Sequence, residues 1–516
     1  MFRSPRRKPQ SQPVIVIGAG VGGLTAAALL AKRGYQVRVF DQAMIPGGCA
    51  STFKRRGFTF DVGATQVAGL EPGGIHHQIF SELDLDLPLA TPCDPACAVY
   101  LPGETEPINV WRDPKRWQAE RQRQFPGSEP FWRLMANLFR YSWAFQSRDP
   151  VLPPRNAWDL WQVIKALRPD TLLTAPYLFS TVGQVLQGYG LGADQRLKTF
   201  LDMQLKLYSQ VDADETALLY AATALGVAQQ PQGLYHLQGS MQVLSDRLVT
   251  ALERNGGKLL LRHRIEHIQL EQGKATTVVI RNPKTGEVWT ESAAQIVANV
   301  TVQNLVKLLG DQAPKGYAHR VDKLPPGSGA FVIYLGVDQA ALPTACPLHL
   351  QFLYDYDGPI AENNSLFVSV SRPGDGRAPE GKATIIASSF TDPQVWWAEA
   401  GEQGSGGAGE QGYVVMKQRY TEQAIARLGQ FFDLRPAHIL HQEAATPRTF
   451  ARFTGRDRGA VGGIGQRIPS FGPFGFANRT PIPRLWLVGD CVHPGEGTAG
   501  VSYSALTGVR QIEAAD

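Results

Sequence analysis

The run PVIVIGAGVGGLTAAALLAKRGYQVRVFDQ, from Pro13 to Gln42, decides the fold. Val14 to Ile17 is a β-branched run ending in glycine, the pattern of a buried parallel strand, and the alanine- and leucine-rich stretch from Leu24 to Lys32 predicts a helix. Gly34 ends that helix and Val37 to Phe40 predicts the next strand, completing a βαβ unit. Between strand and helix, Gly18, Gly20 and Gly23 fall on the G-x-G-x-x-G spacing, with Ala19 and Gly22 in the same loop. The first glycine permits the tight turn, the second lets a pyrophosphate approach the backbone, and the third lets helix and strand pack closely. The helix start offers free N–H groups and a positive dipole end to phosphates. Asp41 ends the second strand, where a carboxylate accepts hydrogen bonds from both ribose hydroxyls and disfavours a 2′-phosphate. A dinucleotide is expected, and this unit alone leaves NAD and FAD open.

Two further segments bear on that choice. Directly after Asp41 comes QAMIPGGCAS, whose Gly47 and Gly48, followed by Cys49 and Ala50, bring a second backbone loop toward the phosphates. An NAD fold does not require such a loop. Near the other end of the chain, in RLWLVGDCVHPGEGTAGVSYSAL, the apolar run Leu485 to Val488 delivers Gly489 and Asp490, and a helix is predicted from about Gly500 and Val501. A strand-to-helix junction with an acid at its tip suits a ribityl chain, and the helix N-terminus aims N–H groups at a flavin's pyrimidine oxygen. FAD is the cofactor expected.

At 516 residues the chain is long enough for two joined domains, each with its own core. Against 46 acidic residues, 51 basic ones leave a net charge of +5, too little over this length to indicate nucleic acid. The basic head MFRSPRRKPQ reads as a solvated tail, with contact to anionic lipid as the other reading. It lacks the apolar core of a secretory signal. Five scattered cysteines form no disulfide framework, and Cys93 with Cys97 lacks a second pair for zinc, so a reducing, cytoplasmic setting fits. No stretch is long and apolar enough to span a membrane, which leaves peripheral association.

From Glu120 to about Leu191 the chain turns helical and aromatic, Gly239 to Asn255 reads as an amphipathic helix, and GGKLLLRHRIEHIQL as a strand entering a turn. Thr277 to Ile280 and Val288 to Thr290 read as a hairpin around NPKTG, and Gln295 to Asn299 as a core strand. Between about Gly327 and Trp397 the runs AFVIYLGV, SLFVSVS and ATIIASS predict an antiparallel sheet. GEQGSGGAGEQG, Gly401 to Gly412, reads as a low-complexity loop. The expected fold class is α/β: a Rossmann-type FAD-binding domain with an interleaved substrate domain of antiparallel sheet and helices. The expected division is a basic tail over 1–12, a discontinuous FAD-binding domain over 13–110, 230–310 and 440–516, a helical region and candidate membrane-associating element over 111–229, and a substrate domain over 311–439.

The opening unit, PGGCAS, RGFTFDVGAT (Arg56 to Thr65), LQGSMQVLSDRLVTALERNGGKLLLRHRIEHI and LVGDCVHPGEGTAGVSYSA together resemble the FAD-dependent carotenoid desaturase and isomerase family, which includes bacterial phytoene desaturases. The resemblance runs the length of the chain and implies FAD, a two-domain fold shared with amine oxidases, and a polyene substrate. It further implies that Gly18, Gly20 and Gly23 hold the pyrophosphate, Asp41 the adenosine ribose, the Ile265 backbone the adenine, Asp490 the ribityl and Val501 the flavin ring. Many flavin amine oxidases carry an arginine after the paired glycines, where this chain has Cys49. Within the family, GGCASTFKRRGFTFDVGATQVAGLEPGG most resembles cyanobacterial carotenoid C-3′,4′ desaturases and also carotenoid cis-trans isomerases.

An unactivated hydrocarbon offers no acidic proton and no carbonyl, so the flavin is expected to take the hydride and the protein to orient, desolvate and collect a proton. Candidate bases are His76, His77, His236, Asp202 and Glu496, with Glu496 favoured for its place in PGEGTAG; Cys491 reads as a small buried residue. No metal-site spacing appears. The expected activity is carotenoid desaturation at C-3′,4′, with carotenoid isomerisation, amine oxidation and non-catalytic isoprenoid carriage as alternatives. A quinone or oxygen is expected as electron acceptor. The aromatic, basic-flanked run from Phe131 to Phe179 has two readings, a membrane-facing surface through which substrate enters or an ordinary helical core.

Overall fold

The computed structural model describes residues 12–398 and 408–515. Its five-stranded parallel sheet has the order Lys258–Leu261, Val37–Asp41, Val14–Ile17, Gln295–Ala298, Leu485–Leu487. Alternation along the first strand sends Val14 and Val16 to one face and Ile15 and Ile17 to the other. The valines pack under the Val21–Lys32, Gln242–Arg254 and Thr498–Ala515 helices. The isoleucines meet Ile265, Ile268 and Ile280 of a three-stranded antiparallel sheet. All four side chains are at most 5% exposed, and burying each contributes about 1.5–3 kcal/mol. Layers on both faces of a parallel sheet make a Rossmann-type unit.

Arg264–Glu271, Lys274–Arg281 and Val288–Ser292 form the antiparallel sheet, the last two being the hairpin expected around NPKTG. The GGKLLLRHRIEHIQL stretch thus serves two sheets, Lys258–Leu261 the parallel one and Arg264–Glu271 the antiparallel one, with the chain turning at Arg262 (φ 60°).

A second sheet has seven strands in the order Ile439–Ala445, Gly329–Asp338, Lys382–Thr391, Ser365–Val370, His349–Leu353, Cys97–Tyr100, Ile108–Val110. Every pair is antiparallel except His349–Leu353 with Cys97–Tyr100. The expected domain limits at 110 and 440 therefore need correction. Cys97–Tyr100, Ile108–Val110 and Ile439–Ala445 complete the second sheet rather than the FAD-binding unit, because their hydrogen-bonding partners lie there. Helices from Pro114–Gln124 to Leu218–Ala228 enclose a separate aromatic core around Trp117, Trp132 and Phe200.

The expected loop over Gly401 to Gly412 is also corrected in part. Its last residues lie in the Ala408–Leu428 helix, and 401–407 lie outside the described residues, as does the basic tail up to Ser11. A low-complexity composition obscured that helix start.

The units are tied together by Arg377, buried with Asp61 and Asp375. Its guanidinium donates to Asp61 Oδ2 (3.1 Å), the Leu237 carbonyl (2.7 Å) and Asp375 Oδ2 (3.3 Å). Asp61 Oδ1 in turn accepts from the amide of Met241, at the start of the Gln242–Arg254 helix (2.8 Å). Among the described residues no helix is long and apolar enough to cross a membrane, and no cluster of three His, Cys, Asp or Glu side chains could hold a metal ion.

Candidate cofactor and substrate site

A cavity of about 640 Å³ runs along the carboxyl ends of the parallel strands, the position at which α/β sheets bind ligands, and reaches the seven-stranded sheet. Its floor is glycine. Gly18 sits at φ +95°, a conformation that favours glycine, and a Cβ on Gly23 would lie 2.0 Å from the Gly18 carbonyl oxygen. The paired-glycine loop closes the same floor: the Gly47 amide donates to the Ala19 carbonyl (2.7 Å), and a Cβ on Gly48 would be 3.4 Å from Gly20 Cα. Cys49 and Ala50 follow on the cavity wall.

The two ends of the chain meet through Asn299. This residue ends the Gln295–Ala298 strand, and its side chain lies against Gly20, Gly22 and Gly489, whose Cβ positions fall 2.8, 3.0 and 2.8 Å from it. Asn299 is a site residue the sequence reading missed. Its only signal was a polar side chain at the carboxyl end of a buried strand, which marks the ligand crevice only once the strand's neighbours are known.

Asp41 is held by both carboxylate oxygens, Oδ2 accepting from the Ala19 amide (2.6 Å) and Oδ1 from the Ala43 amide (2.8 Å). Burial pushes its carboxyl up, and these two amides oppose that shift. The carboxylate therefore fastens the glycine loop to the second strand as well as facing the cavity. Asp41→Asn replaces one acceptor with a donor and is expected to weaken FAD binding ~10-fold, measured by flavin fluorescence titration.

Ile265 lines the cavity with His263. At the C-terminal junction Asp490 and Val501 line it, Gly489 sits at φ +111°, and the Gly489 amide donates to Ser504 Oγ (2.8 Å). A Cβ on Gly500 would lie 2.6 Å from the Gly495 carbonyl oxygen, so the start of the Thr498–Ala515 helix closes tightly on its preceding turn. The Cys491 thiol is buried and burial pushes it far up, which suits an inert packing residue.

Of the five base candidates, Glu496 alone lines this cavity. His76 is buried between the Ala68 carbonyl (2.7 Å) and Ser502 Oγ (3.1 Å), and burial lowers it to about 4. His77 lies outside the lining; His236 belongs to the Asp375–Arg377 network, and Asp202 lines a separate polar cavity of about 330 Å³. Glu496 Oε2 accepts from Gln210 Nε2 (2.8 Å), while its Oε1 is buried without a partner. Burial drives this carboxyl well above the usual carboxylate range, with the Gln210 hydrogen bond opposing that shift, which favours its protonated form over the base expected from the sequence.

Opposite the glycine floor, Leu207, Ala330, Val332, Phe390, Phe450 and Val461 supply an apolar wall. A long cradle with two helix N-termini, the carboxylates of Asp41 and Asp490 on its lining, glycines packed tightly against Asn299 and an adjoining apolar wall fits FAD.

Residues 16–83 match the family model described as NAD(P)-binding Rossmann-like domain. Prolycopene isomerase 1 (chloroplastic) of an Oncidium hybrid cultivar is 27% identical over 513 residues, covering 97% of this chain and 83% of its own. Human all-trans-retinol 13,14-reductase is 24% identical, over 94% and 83%. Among solved structures, cyclohexylamine oxidase of Brevibacterium oxydans superposes with a TM-score of 0.62 at 16% identity, over 98% of this chain and 100% of its own. Fold and cradle define a flavoprotein of the amine-oxidase-like architecture with FAD as its cofactor. The likeness to a prolycopene isomerase and a retinol reductase runs along nearly the whole chain.

Proposed function

We propose that the protein is an FAD-dependent enzyme that desaturates a carotenoid at C-3′,4′, with the polyene seated along the apolar wall beside the flavin end of the cradle. The observation that carries the reading is the junction of a glycine-floored cofactor cradle with a wall of Leu207, Val332, Phe390 and Phe450 in one cavity. FAD supplies hydride chemistry when bound. Gly18, Ala19, Gly20, Gly22, Gly23, Gly47, Gly48, Cys49 and Ala50 take its diphosphate, Asp41 and Ile265 its adenosine, and Gly489, Asp490, Gly500 and Val501 its ribityl and ring. The chain's own task is to exclude water and fix the reacting bond, for which the apolar wall is suited.

A second reading, cis-trans isomerisation, is favoured by Glu496 and by the prolycopene isomerase relatives. A carboxyl that burial biases toward its protonated form is better suited to lend a proton, which isomerisation returns, than to collect the one that desaturation releases. The deciding experiment incubates holoprotein with carotenes in liposomes, with a quinone, oxygen, or a flavin reductant without oxidant in separate arms, since the isomerase reading uses reduced FAD. Desaturation removes two hydrogens per new double bond, whereas unchanged product mass with a new cis-trans pattern identifies isomerisation; no product in any arm defeats both readings.

Glu496 also makes stability pH-dependent. Above the ordinary carboxyl range the native state holds a proton that the unfolded chain has released, so this carboxyl's contribution to stability falls as pH rises. Denaturant melts of apoprotein at pH 5 and pH 8 are expected to show Glu496→Gln gaining on the wild type at the higher pH; equal gaps at both would contradict it.

We read the aromatic region as serving both expected roles. Phe131, Trp132 and Phe139 are buried core, whereas Leu160, Trp161, Leu172, Leu173 and Phe179 are 49–66% exposed on the segment that carries Lys165 and Arg168. An exposed apolar group with cationic neighbours suits the headgroup layer of an anionic bilayer. Trp161→Glu with Leu173→Glu is expected to lower co-flotation with anionic liposomes several-fold while leaving FAD content unchanged.

A further inference from the structure

The cavity holds a cation that no glycine motif announces. The Pro447–Thr454 helix ends at Gly455 in the left-handed conformation (φ 71°), which turns Arg456 into the cavity wall. Asn304 fixes that turn from both sides: its Nδ2 donates to the Gly455 carbonyl (3.0 Å) and its Oδ1 accepts from the Asp457 amide (2.9 Å). The guanidinium is anchored by Nε, which donates to the Ala460 carbonyl (2.6 Å). Its Nη2 lies 2.8 Å from Asp490 Oδ2, a largely buried ion pair. The Pro447–Thr454 helix packs against the Gly48–Ala50 turn, which sets the guanidinium beside the paired-glycine loop; burial pushes the Cys49 thiol up there, and the Arg456 charge opposes that shift.

Nε and Nη2 engage the Ala460 carbonyl and Asp490, and the remaining donors of this rigidly held fork are left for an anion brought into the cavity. Asp41 and Asp490 both face the cavity, and a diphosphate brought between them needs a compensating charge. Other cations on the lining are less suited: Lys307 is paired with Asp457, and Arg264 is exposed.

We propose that Arg456 is the cofactor's diphosphate-facing cation, supplying from the turn after the Pro447–Thr454 helix the arginine that many flavin oxidases carry after their paired glycines, where this chain has Cys49. The inference rests on the FAD reading. The guanidinium then has two tasks, neutralising the diphosphate and holding Asp490 toward the ribityl hydroxyls.

Equilibrium FAD titration of apoprotein tests this with four chains: wild type, Arg456→Met, Arg456→Lys, and Cys49→Arg combined with Arg456→Met. Arg456→Met is expected to bind FAD ~10- to 100-fold more weakly, the worth of a charge-assisted bond. Lysine, a point charge without the fork, is expected to fall between. Returning an arginine at position 49 is expected to recover at least part of the affinity without restoring the apoprotein stability that loss of the Arg456–Asp490 pair removes. FAD affinity in Arg456→Met within twofold of wild type overturns the proposal. So does a loss that follows a fall in apoprotein stability and is not recovered by Cys49→Arg, since that pattern is structural. A wild-type protein that binds no FAD defeats the flavoprotein reading itself and not the assignment of Arg456 within it.

Discussion

Gly23→Val is expected to give a protein that does not hold FAD at micromolar concentrations. A Cβ at this position would lie 2.0 Å from the Gly18 carbonyl oxygen and 3.0 Å from Asn299 Cβ, and the first of these is backbone that cannot swing aside. Helix and first strand must separate, moving the Gly20 and Gly22 amides off the floor and lifting the contact with Asn299. Overpacking of this kind costs about 3 kcal/mol or more, equivalent to at least ~100-fold in affinity if it falls on the bound state. Gly188→Ala is the matched control, because nothing lies within 4 Å of its added Cβ. Flavin absorbance of the purified proteins and their FAD titrations check the pair; full flavin content in Gly23→Val would show that the turn does not set the cradle.

Arg377→Met is expected to lower unfolding free energy by about 3–5 kcal/mol, the loss found when one partner of a buried ion network is removed. Asp61 and Asp375, at most 4% exposed, would be left as buried charges. The damage reaches the cradle because Asp61 Oδ1 also accepts from Thr52 Oγ1 (3.0 Å) and the Met241 amide. These bonds join the hairpin after the paired-glycine loop to the helix beneath the first strand. Adding Asp61→Asn and Asp375→Asn to Arg377→Met is expected to recover part of the loss, since neutral amides cost less to bury than unpaired carboxylates. Denaturant midpoints across the set provide the measurement.

What the amino-acid string reveals follows from the range of the interactions involved. The Pro13 to Gln42 unit was readable because strand, turn, helix and acid are set by neighbours within a few residues. The 485–501 junction was readable for the same reason. Asn299, Arg456 and Gln210 were not, because each acquires its place only when segments hundreds of residues apart converge. Arg456 is typical: a Gly-Arg pair after a short helix is unremarkable until Asn304 clamps it and Asp490 faces it. The sheet limits failed similarly, since Cys97–Tyr100 has no local feature that selects His349–Leu353 as its partner. The desolvation that raises the Glu496 carboxyl was not legible either, because composition cannot report burial.

The convergence of both chain ends on one sheet has a consequence for biosynthesis. Gln295–Ala298 receives its outer neighbour, Leu485–Leu487, only after almost two hundred further residues have been made, and Val21–Lys32 waits still longer for the Thr498–Ala515 helix that covers it. At roughly 5–20 residues per second, the interval between the first strand and the last is on the order of 20–90 s. Throughout it the nascent chain carries an unpaired parallel edge and an uncovered apolar helix, features that invite aggregation or chaperone capture. Cofactor capture thus becomes a late maturation step, and supplying flavin during expression is expected to raise the soluble yield by trapping chains as they close.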